Sequence, residues 1–323
     1  MGQAADNAGR RLRVLVIFPG ALGDLLCLVP ALRAISRRHP HAMLELMARP
    51  ELARFAIGRL GIARSHSPGV VRGHSIDRRE VSHLFIEGAS DEARAFFGPF
   101  DHIYSFFADD NPCFKRSLAA ISYGGQTFVP FRPPGAGHVA GCYLRALGEN
   151  ARGELEGRID LLDEDRQAAL RELDRIGFVR ARYLLVFPGS GSPKKNWSVE
   201  NFVDLAQRIA PQMCSLVILG PAEAALEPSF KAHGLAILSG LALRQVAGIA
   251  HFARAFVGND SGVSHLAAAA GARGVVLFGA TDPARWRPLG KVEVIRREPL
   301  AGLTVEEAAA RLAPLLTNGR DDD

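Results

Sequence analysis

Three stretches of the chain carry residues that could do chemistry. The first is FPGALGD, Phe18–Asp24. It places one carboxylate after two glycines and before an apolar run. Gly20 and Gly23 allow a tight turn and a close backbone approach. Asp24 then has two readings. It can cap a helix, because Asp is a favoured N-cap residue, or it can take a proton from a reacting group. On the local pattern alone, the cap is the simpler reading.

The second stretch is FPGSGSPKKNWSVENF, Phe187–Phe202. Gly189, Ser190, Gly191 and Ser192 offer backbone N–H groups and hydroxyls, as a phosphate cradle does. Lys194 and Lys195 follow as flexible point charges, and Ser198 is placed to cap a helix. The spacing is not that of a Walker A loop. Taken alone, the segment also reads as a surface loop with two solvated lysines. The third stretch starts at FVGNDSGVSH, Phe256–His265. Asn259, Asp260, Ser261 and Gly262 make a turn into a helix. The N-terminus of such a helix presents unpaired N–H groups and the positive end of its dipole, which suits a pyrophosphate. His265 lies about one turn in, where a structural role is the simpler reading. Thr281 and Asp282 end the next strand and could line a nucleotide.

The elements that must position these residues alternate. Predominantly apolar runs, such as the almost unbroken RVLVIF, read as buried strands of a parallel sheet. They cover Arg13–Phe18, Ala42–Ala48, Asp101–Phe107, Tyr183–Phe187, Ser215–Leu219, Leu235–Leu238, Ala255–Val257, Val275–Phe278 and Val292–Ile295. Helical periodicity is expected over Asp24–Arg38, where Pro30 should introduce a bend. It is also expected from Pro50, through VAGCYLRALG, and over Val199–Ile209, Ala222–Ala232, Leu243–His251, Val263–Ala270 and Val305–Leu316. Such alternation means βαβ units. The pattern is weak from Gly61 to Gly98, and Phe128–His138 reads as an irregular loop.

The expected organisation is α/β, with two Rossmann-like domains whose parallel sheets face a central cleft. Residues 1–12 form a disordered lead and 13–160 the first domain. Residues 161–317 form the second domain and 318–323 a disordered tail. Ligands of such sheets bind outside the carboxyl ends of the strands.

Composition narrows the class. The 323 residues carry a formal net charge of +5, which suits an anionic ligand or an acidic membrane surface. No basic block, zinc-finger spacing or aromatic-basic motif points to nucleic acid. Cys27, Cys113, Cys142 and Cys214 form no CxxC pair, so neither a zinc site nor a disulfide scaffold is expected. Cys27 and Cys214 lie in apolar segments and read as small core residues. No apolar stretch is long enough to span a bilayer, and no signal peptide is evident, so a cytoplasmic location is expected. The D-x-D of Asp163–Arg166 reads as acidic residues at a helix start rather than a cation site. The HPH of His39–His41 reads as a surface helix end. Neither a G-x-G-x-x-G dinucleotide loop nor a G-x-S-x-G elbow is present.

Together, RVLVIFPGALGDLLCLVPALRAISRRHP, FPGSGSPKKNWSVENFVDLA and VGNDSGVSHLAAAAGARGVVLFGATDP resemble glycosyltransferase family 9, the lipopolysaccharide heptosyltransferases. Order and spacing match along nearly the whole chain, and the 61–129 stretch departs most. The resemblance implies a GT-B fold, with the donor on the C-terminal domain and the acceptor on the N-terminal one. It implies inverting, metal-independent transfer from a nucleotide-sugar, normally ADP-heptose, to a glycolipid or saccharide acceptor, with no other cofactor. Asp24 then matches the general base. Lys195 matches the lysine on the donor phosphates, with Lys194 as fallback. Asp260 matches the acid at the donor sugar. The Ser261 and Gly262 amides would hold the pyrophosphate with His265 nearby, and Glu223 the nucleotide ribose. The chemistry is coherent in itself, since amides, a helix dipole and a lysine can carry the leaving charge. One base suffices for direct displacement, whereas retention through a covalent intermediate also needs a nucleophile.

Two other functions fit the same features: a nucleotide-sugar epimerase of this architecture, and a non-catalytic sugar-nucleotide-binding protein. Peripheral contact with anionic lipid is a further expectation, from RRLR and ISRRHPH.

Overall fold

The computed structural model describes residues 10–61, 69–88, 90–151 and 155–317. It divides into two compact units. One comprises Met1–Ala21 and Leu28–Gly153, and the other Leu22–Cys27 and Glu154–Asp323. The division therefore falls before residue 160, where the sequence reading set it. The reason is local. The Ile159 N–H donates to Ala269 O at 2.9 Å, Ile159 and Leu161 are buried, and a Cβ on Gly157 would stand 2.3 Å from Leu289 Cβ. Of the expected lead and tail, residues 1–9 and 318–323 lie outside the described residues. Arg10 and Leu12 are tied down: Arg10 donates to Pro99 O at 3.1 Å and Leu12 O accepts from the Met43 N–H at 2.7 Å.

Among the described residues, the first unit holds strands β1 (Arg13–Ile17), β2 (Met43–Ala48), β3 (Val70–Ser75), β4 (His102–Ser105) and β5 (Gly125–Phe128). They form one parallel sheet in the order β3-β2-β1-β4-β5. The helices are α1 (Leu22–Arg38), α2 (Pro50–Ala56), α3 (Arg79–Ser82), α4 (Asp91–Phe97), α5 (Pro112–Ile121) and α6 (Val139–Ala146). The first six residues of α1 group with the second unit. Helix α1 runs through Pro30 as one element. β3, α3 and α4 fall in the stretch where the sequence pattern is weak, and α5 and β5 lie beyond it in segments the sequence reading left unassigned. Leu15, Ile17, Phe97, Ile103 and Phe114 share the unit's core. Glu45, fully buried on β2, is paired with Arg13 at 2.8 Å and His74 at 2.6 Å. His39 is not a bare surface feature. It shares a 2.8 Å hydrogen bond with the buried Tyr104 hydroxyl, on whose ring His102 stacks at 4.3 Å.

The second unit holds β6 (Tyr183–Phe187), β7 (Cys214–Leu219), β8 (Ala236–Ser239), β9 (Ala255–Asn259), β10 (Gly274–Phe278) and β11 (Val292–Arg296). Its helices are α7 (Asp163–Arg175), α8 (Val199–Ile209), α9 (Glu227–Ala232), α10 (Leu243–Phe252), α11 (Gly262–Ala269), α12 (Pro283–Trp286) and α13 (Val305–Thr317). All strands are parallel, in the order β11-β10-β9-β6-β7-β8. Renumbered within the unit, that is the doubly wound 3-2-1-4-5-6 arrangement read from its far edge. β6 and β9 are buried at every residue, as strands covered by helices on both faces must be.

Two local expectations change. Ala222–Ala232 splits into a 3₁₀ turn, Pro221–Leu226, and α9. Cys214 opens β7 at its exposed end, so it is a surface thiol rather than a core residue, whereas Cys27 is buried. The acidic run Asp163–Asp165 forms the first turn of α7. There Asp165 Oδ2 accepts from the Leu162 N–H at 3.0 Å.

Candidate active site

β6 and β9 are neighbours in the sheet, yet the chain leaves them toward opposite edges. This is the topological switch point, outside whose carboxyl ends α/β sheets bind ligands. The loops that leave these two strands are two of the three stretches singled out in the sequence.

Lys195 Nζ lies 2.8 Å from Asp260 Oδ2. Asp260 is buried and Lys195 half-buried, whereas Lys194 is exposed. Both lysines belong to a 3₁₀ turn, Pro193–Lys195. Within it the Lys195 N–H donates to Ser192 O at 2.9 Å. The turn therefore decides between two adjacent lysines that sequence alone leaves equivalent. Ser190 serves as a brace: its hydroxyl donates to Ser192 O at 2.8 Å and accepts from the Ser192 N–H at 3.2 Å. Gly191 is exposed, with open space where a Cβ would stand.

Asn259 holds the base of this loop, a role the sequence did not reveal. Fully buried, it accepts at Oδ1 from the Trp197 N–H at 3.0 Å and donates from Nδ2 to Pro188 O at 2.7 Å. One amide thus bridges the two ends of the segment that carries Lys195. The available signal was a polar residue ending an apolar strand, where a buried amide must find partners. Trp197 is anchored further by Nε1, which donates to Leu303 O at 3.0 Å.

After β9, the Asp260 N–H is held by Leu277 O at 2.9 Å. Ser261 caps α11, its hydroxyl accepting from the Ser264 N–H at 3.4 Å. The Ser264 hydroxyl donates back to Asn259 O at 2.7 Å. Gly258 makes room for this, since a Cβ there would stand 2.6 Å from Ser264 Oγ. The first intrahelical bond of α11 runs from the His265 N–H to Ser261 O at 3.2 Å, so the Ser261 and Gly262 amides are among the first four, which have no intrahelical carbonyl to donate to. Lys195, these amides and the dipole of α11 converge on the same strand ends. A cation and N–H donors gathered in this way suit an anion.

Glu223 joins the site through glycine. A Cβ on Gly189 would stand 2.2 Å from Glu223 Oε1, and Glu223 Oε2 accepts from the Gly220 N–H at 3.1 Å. Its carboxylate therefore lies over the start of the Lys195 loop. Asp282 is exposed and caps α12, accepting from the Ala284 N–H at 3.0 Å. Thr281 is half-buried beside it.

Asp24 is not the N-cap of α1. The helix starts at Leu22, so Asp24 is half-buried within its first turn, where a carboxylate complements the dipole. This first turn groups with the second unit. A Cβ on Gly23 would stand 3.3 Å from His265 Cδ2 and 3.7 Å from Gly262 Cα. A Cβ on Gly262 would stand 3.0 Å from Leu22 Cβ. His265 is buried, its Nδ1 3.8 Å from Cys27 Sγ. The imidazole is packed against α1 in addition to lying one turn into α11. Gly20 belongs to the other unit, where it is buried. Among the described residues, no group of three or more His, Cys, Asp or Glu side chains is placed to hold a metal ion. No helix among them is long and apolar enough to cross a membrane.

The model of glycosyltransferase family 9 (heptosyltransferase) matches residues 144–307, half of the chain. The lipopolysaccharide heptosyltransferase 2 of Escherichia coli is 24% identical over 88% of both chains. Among solved structures, the family 9 glycosyl transferase from Veillonella parvula aligns with a TM-score of 0.75 at 18% identity, covering 94% of this chain and 97% of that one. An E. coli heptosyltransferase solved with ADP aligns with a TM-score of 0.69 at 18% identity, covering 94% and 100%.

Proposed function

The chain belongs to glycosyltransferase family 9, the heptosyltransferases, and we propose that it moves a heptose from ADP-heptose to a saccharide of a lipopolysaccharide core, with inversion and without a metal. The observation that carries this reading is the Lys195–Asp260 pair at the switch point, beside the N-terminus of α11. The relatives point the same way, since they include a lipopolysaccharide heptosyltransferase and a heptosyltransferase solved with ADP.

In this reading the acceptor hydroxyl oxygen attacks the anomeric carbon as its proton passes to the Asp24 carboxylate. The bond from that carbon to the phosphate oxygen breaks on the opposite face, and ADP leaves. The charge that develops on the pyrophosphate falls to Lys195, the Ser261 and Gly262 amides and the dipole of α11. Preorganised donors of this kind supply the largest share of many rate enhancements. Asp260 then serves the sugar and Glu223 the ribose. With a lipid-linked acceptor, the reaction takes place at the cytoplasmic face of a membrane, where the basic stretches meet anionic headgroups.

The test is to incubate the protein with an extracted heptose-deficient core glycolipid and, separately, ADP-heptose, ADP-glucose, UDP-sugars and GDP-sugars. Release of ADP together with a heptose mass increment on the glycolipid is expected only with ADP-heptose, and unchanged by EDTA. Transfer from another nucleotide-sugar in place of ADP-heptose overturns the donor assignment. EDTA-sensitive transfer overturns metal independence.

A further inference from the structure

The first turns of α1 and α11 meet at glycines from both sides. The three heavy atoms nearest to a Cβ at Gly262 all belong to Leu22: Cβ at 3.0 Å, and Cγ and Cδ2 at 3.3 Å. The Gly23 position faces His265 Cδ2 at 3.3 Å and Nε2 at 3.6 Å. Neither glycine has a positive φ, so the absence of side chains here reflects spacing rather than backbone conformation. Below the contact, Cys27 is fully buried with Sγ 3.8 Å from His265 Nδ1. Leu22, Gly23 and Cys27 flank Asp24 on the same turn and a half of helix. That segment groups with the unit that carries Lys195, Asp260 and Glu223, although the rest of α1 groups with the other.

We propose that Leu22 and His265 are positioning residues for Asp24. Leu22 seats on Gly262 and His265 under Gly23. These two contacts fix the height of the first turn of α1 above the N-terminus of α11, and so the place of the Asp24 carboxylate relative to the donor groups. The proposal rests on the glycosyltransferase reading of the site. It gives His265 work that does not require it to touch the donor.

The geometry supplies its own steric test. Gly262→Ala puts a methyl against Leu22, which must move by a few tenths of an ångström. A full ångström of misplacement costs about a hundredfold in rate, so a fall in kcat of about tenfold is expected. ADP affinity is expected to hold, because alanine keeps the amide. The same wedge opens the packing over Cys27, which should gain reactivity toward a thiol reagent, read by peptide mass spectrometry against Cys214, which is already exposed. Gly262→Ala combined with Leu22→Ala removes the Leu22 Cγ and Cδ2 that the methyl would meet at 3.3 Å and leaves a methyl-on-methyl seat. It should recover part of both kcat and Cys27 protection, whereas Leu22→Ala alone, which removes the seat, should lower both.

Loss of kcat without rescue in the double variant overturns the proposal, because the loss then lies in the donor amide. Undiminished kcat in Gly262→Ala, or Cys27 labelling that does not change, also overturns it. These outcomes are separate from a failure of the functional reading. That failure shows as absence of transfer by the parent protein, and it removes the positioned reaction along with it.

Discussion

Lys195 Nζ donates to Asp260 Oδ2 at 2.8 Å, joining the loops that follow β6 and β9. Lys195 keeps 39% of its side-chain exposure while Asp260 keeps 8%, so the ammonium can still reach a ligand from the solvent side. In the proposed function a pyrophosphate meets a cation already held in place, with little ordering entropy left to lose. Lys195→Ala should weaken ADP binding about 10- to 100-fold, in the range of one hydrogen bond to a charged group. The exposed Lys194→Ala should change it by less than about threefold, since a solvated point charge contributes little. Isothermal calorimetry with ADP separates the two. Equal losses would show that the 3₁₀ turn does not discriminate between the lysines.

Asp24→Asn keeps the shape and the helix position but removes the base. kcat should fall by about 10²- to 10⁴-fold, with ADP affinity nearly unchanged. Steady-state kinetics beside calorimetry checks this. Retained turnover would remove Asp24 from the reaction.

Asn259 is fully buried, yet its loss should reach the proposed donor site. Asn259→Ala strands the Trp197 N–H and Pro188 O, for a destabilisation of about 2–4 kcal/mol. The loosened Lys195 loop should also bind ADP less well. Urea denaturation gives the first effect and calorimetry the second. A stability loss with ADP affinity intact would confine Asn259 to the fold.

Gly189 and Glu223 should behave as a pair. A methyl at 189 occupies the place of the Glu223 carboxylate, and a flexible side chain can swing away at little structural cost. Gly189→Ala and Glu223→Ala should therefore lower ADP affinity to a similar degree, about tenfold each. The double variant should be no worse than either, because their effects are not independent. Additive losses measured by calorimetry would refute the coupling.

The first unit should lose stability toward acid in two stages. Burial, aided by the Arg38 charge, holds His39 below its ordinary value. Burial, with His39 and Arg38, does the same to His102. For such groups the unfolded chain takes up protons first as pH falls. Their contribution is thus full above about pH 6.5 and lost as pH drops through the folded values. Burial alone would raise Glu45, but hydrogen bonds and charges from His74 and Arg13 outweigh it and hold the carboxyl low. Its contribution is full above about pH 4.3 and lost below. Urea midpoints measured across pH should show both declines. His39→Gln with His102→Gln should remove the first, and Glu45→Gln the second.

Much of this was legible in the chain itself. Central strands such as Tyr183–Phe187 and Val275–Phe278 are continuous, fully buried apolar runs because helices cover both of their faces. The strand–turn–helix plan at Phe187, Asn259 and Phe18 follows from glycine and cap chemistry that acts over a few residues. Those local rules placed Asp24, Lys195, Asp260 and Ser261 at strand ends. They missed β3 (VVRGHS) and β5 (GQTF), short edge strands with mostly half-exposed residues, although they found β4 between them. An edge strand needs no unbroken apolar run, so its period is faint.

Tertiary contact decided the rest. Neighbours in sequence cannot tell Lys194 from Lys195, but a 3₁₀ turn braced by Ser190 and Asn259 can. Nor could they show that Gly262 faces Leu22 from the far end of the sequence, or that Glu223 needs the bare Gly189. Residue type and spacing determine what chemistry a segment can offer. Which atoms meet depends on packing between segments far apart in the chain, and no local pattern encodes that distance.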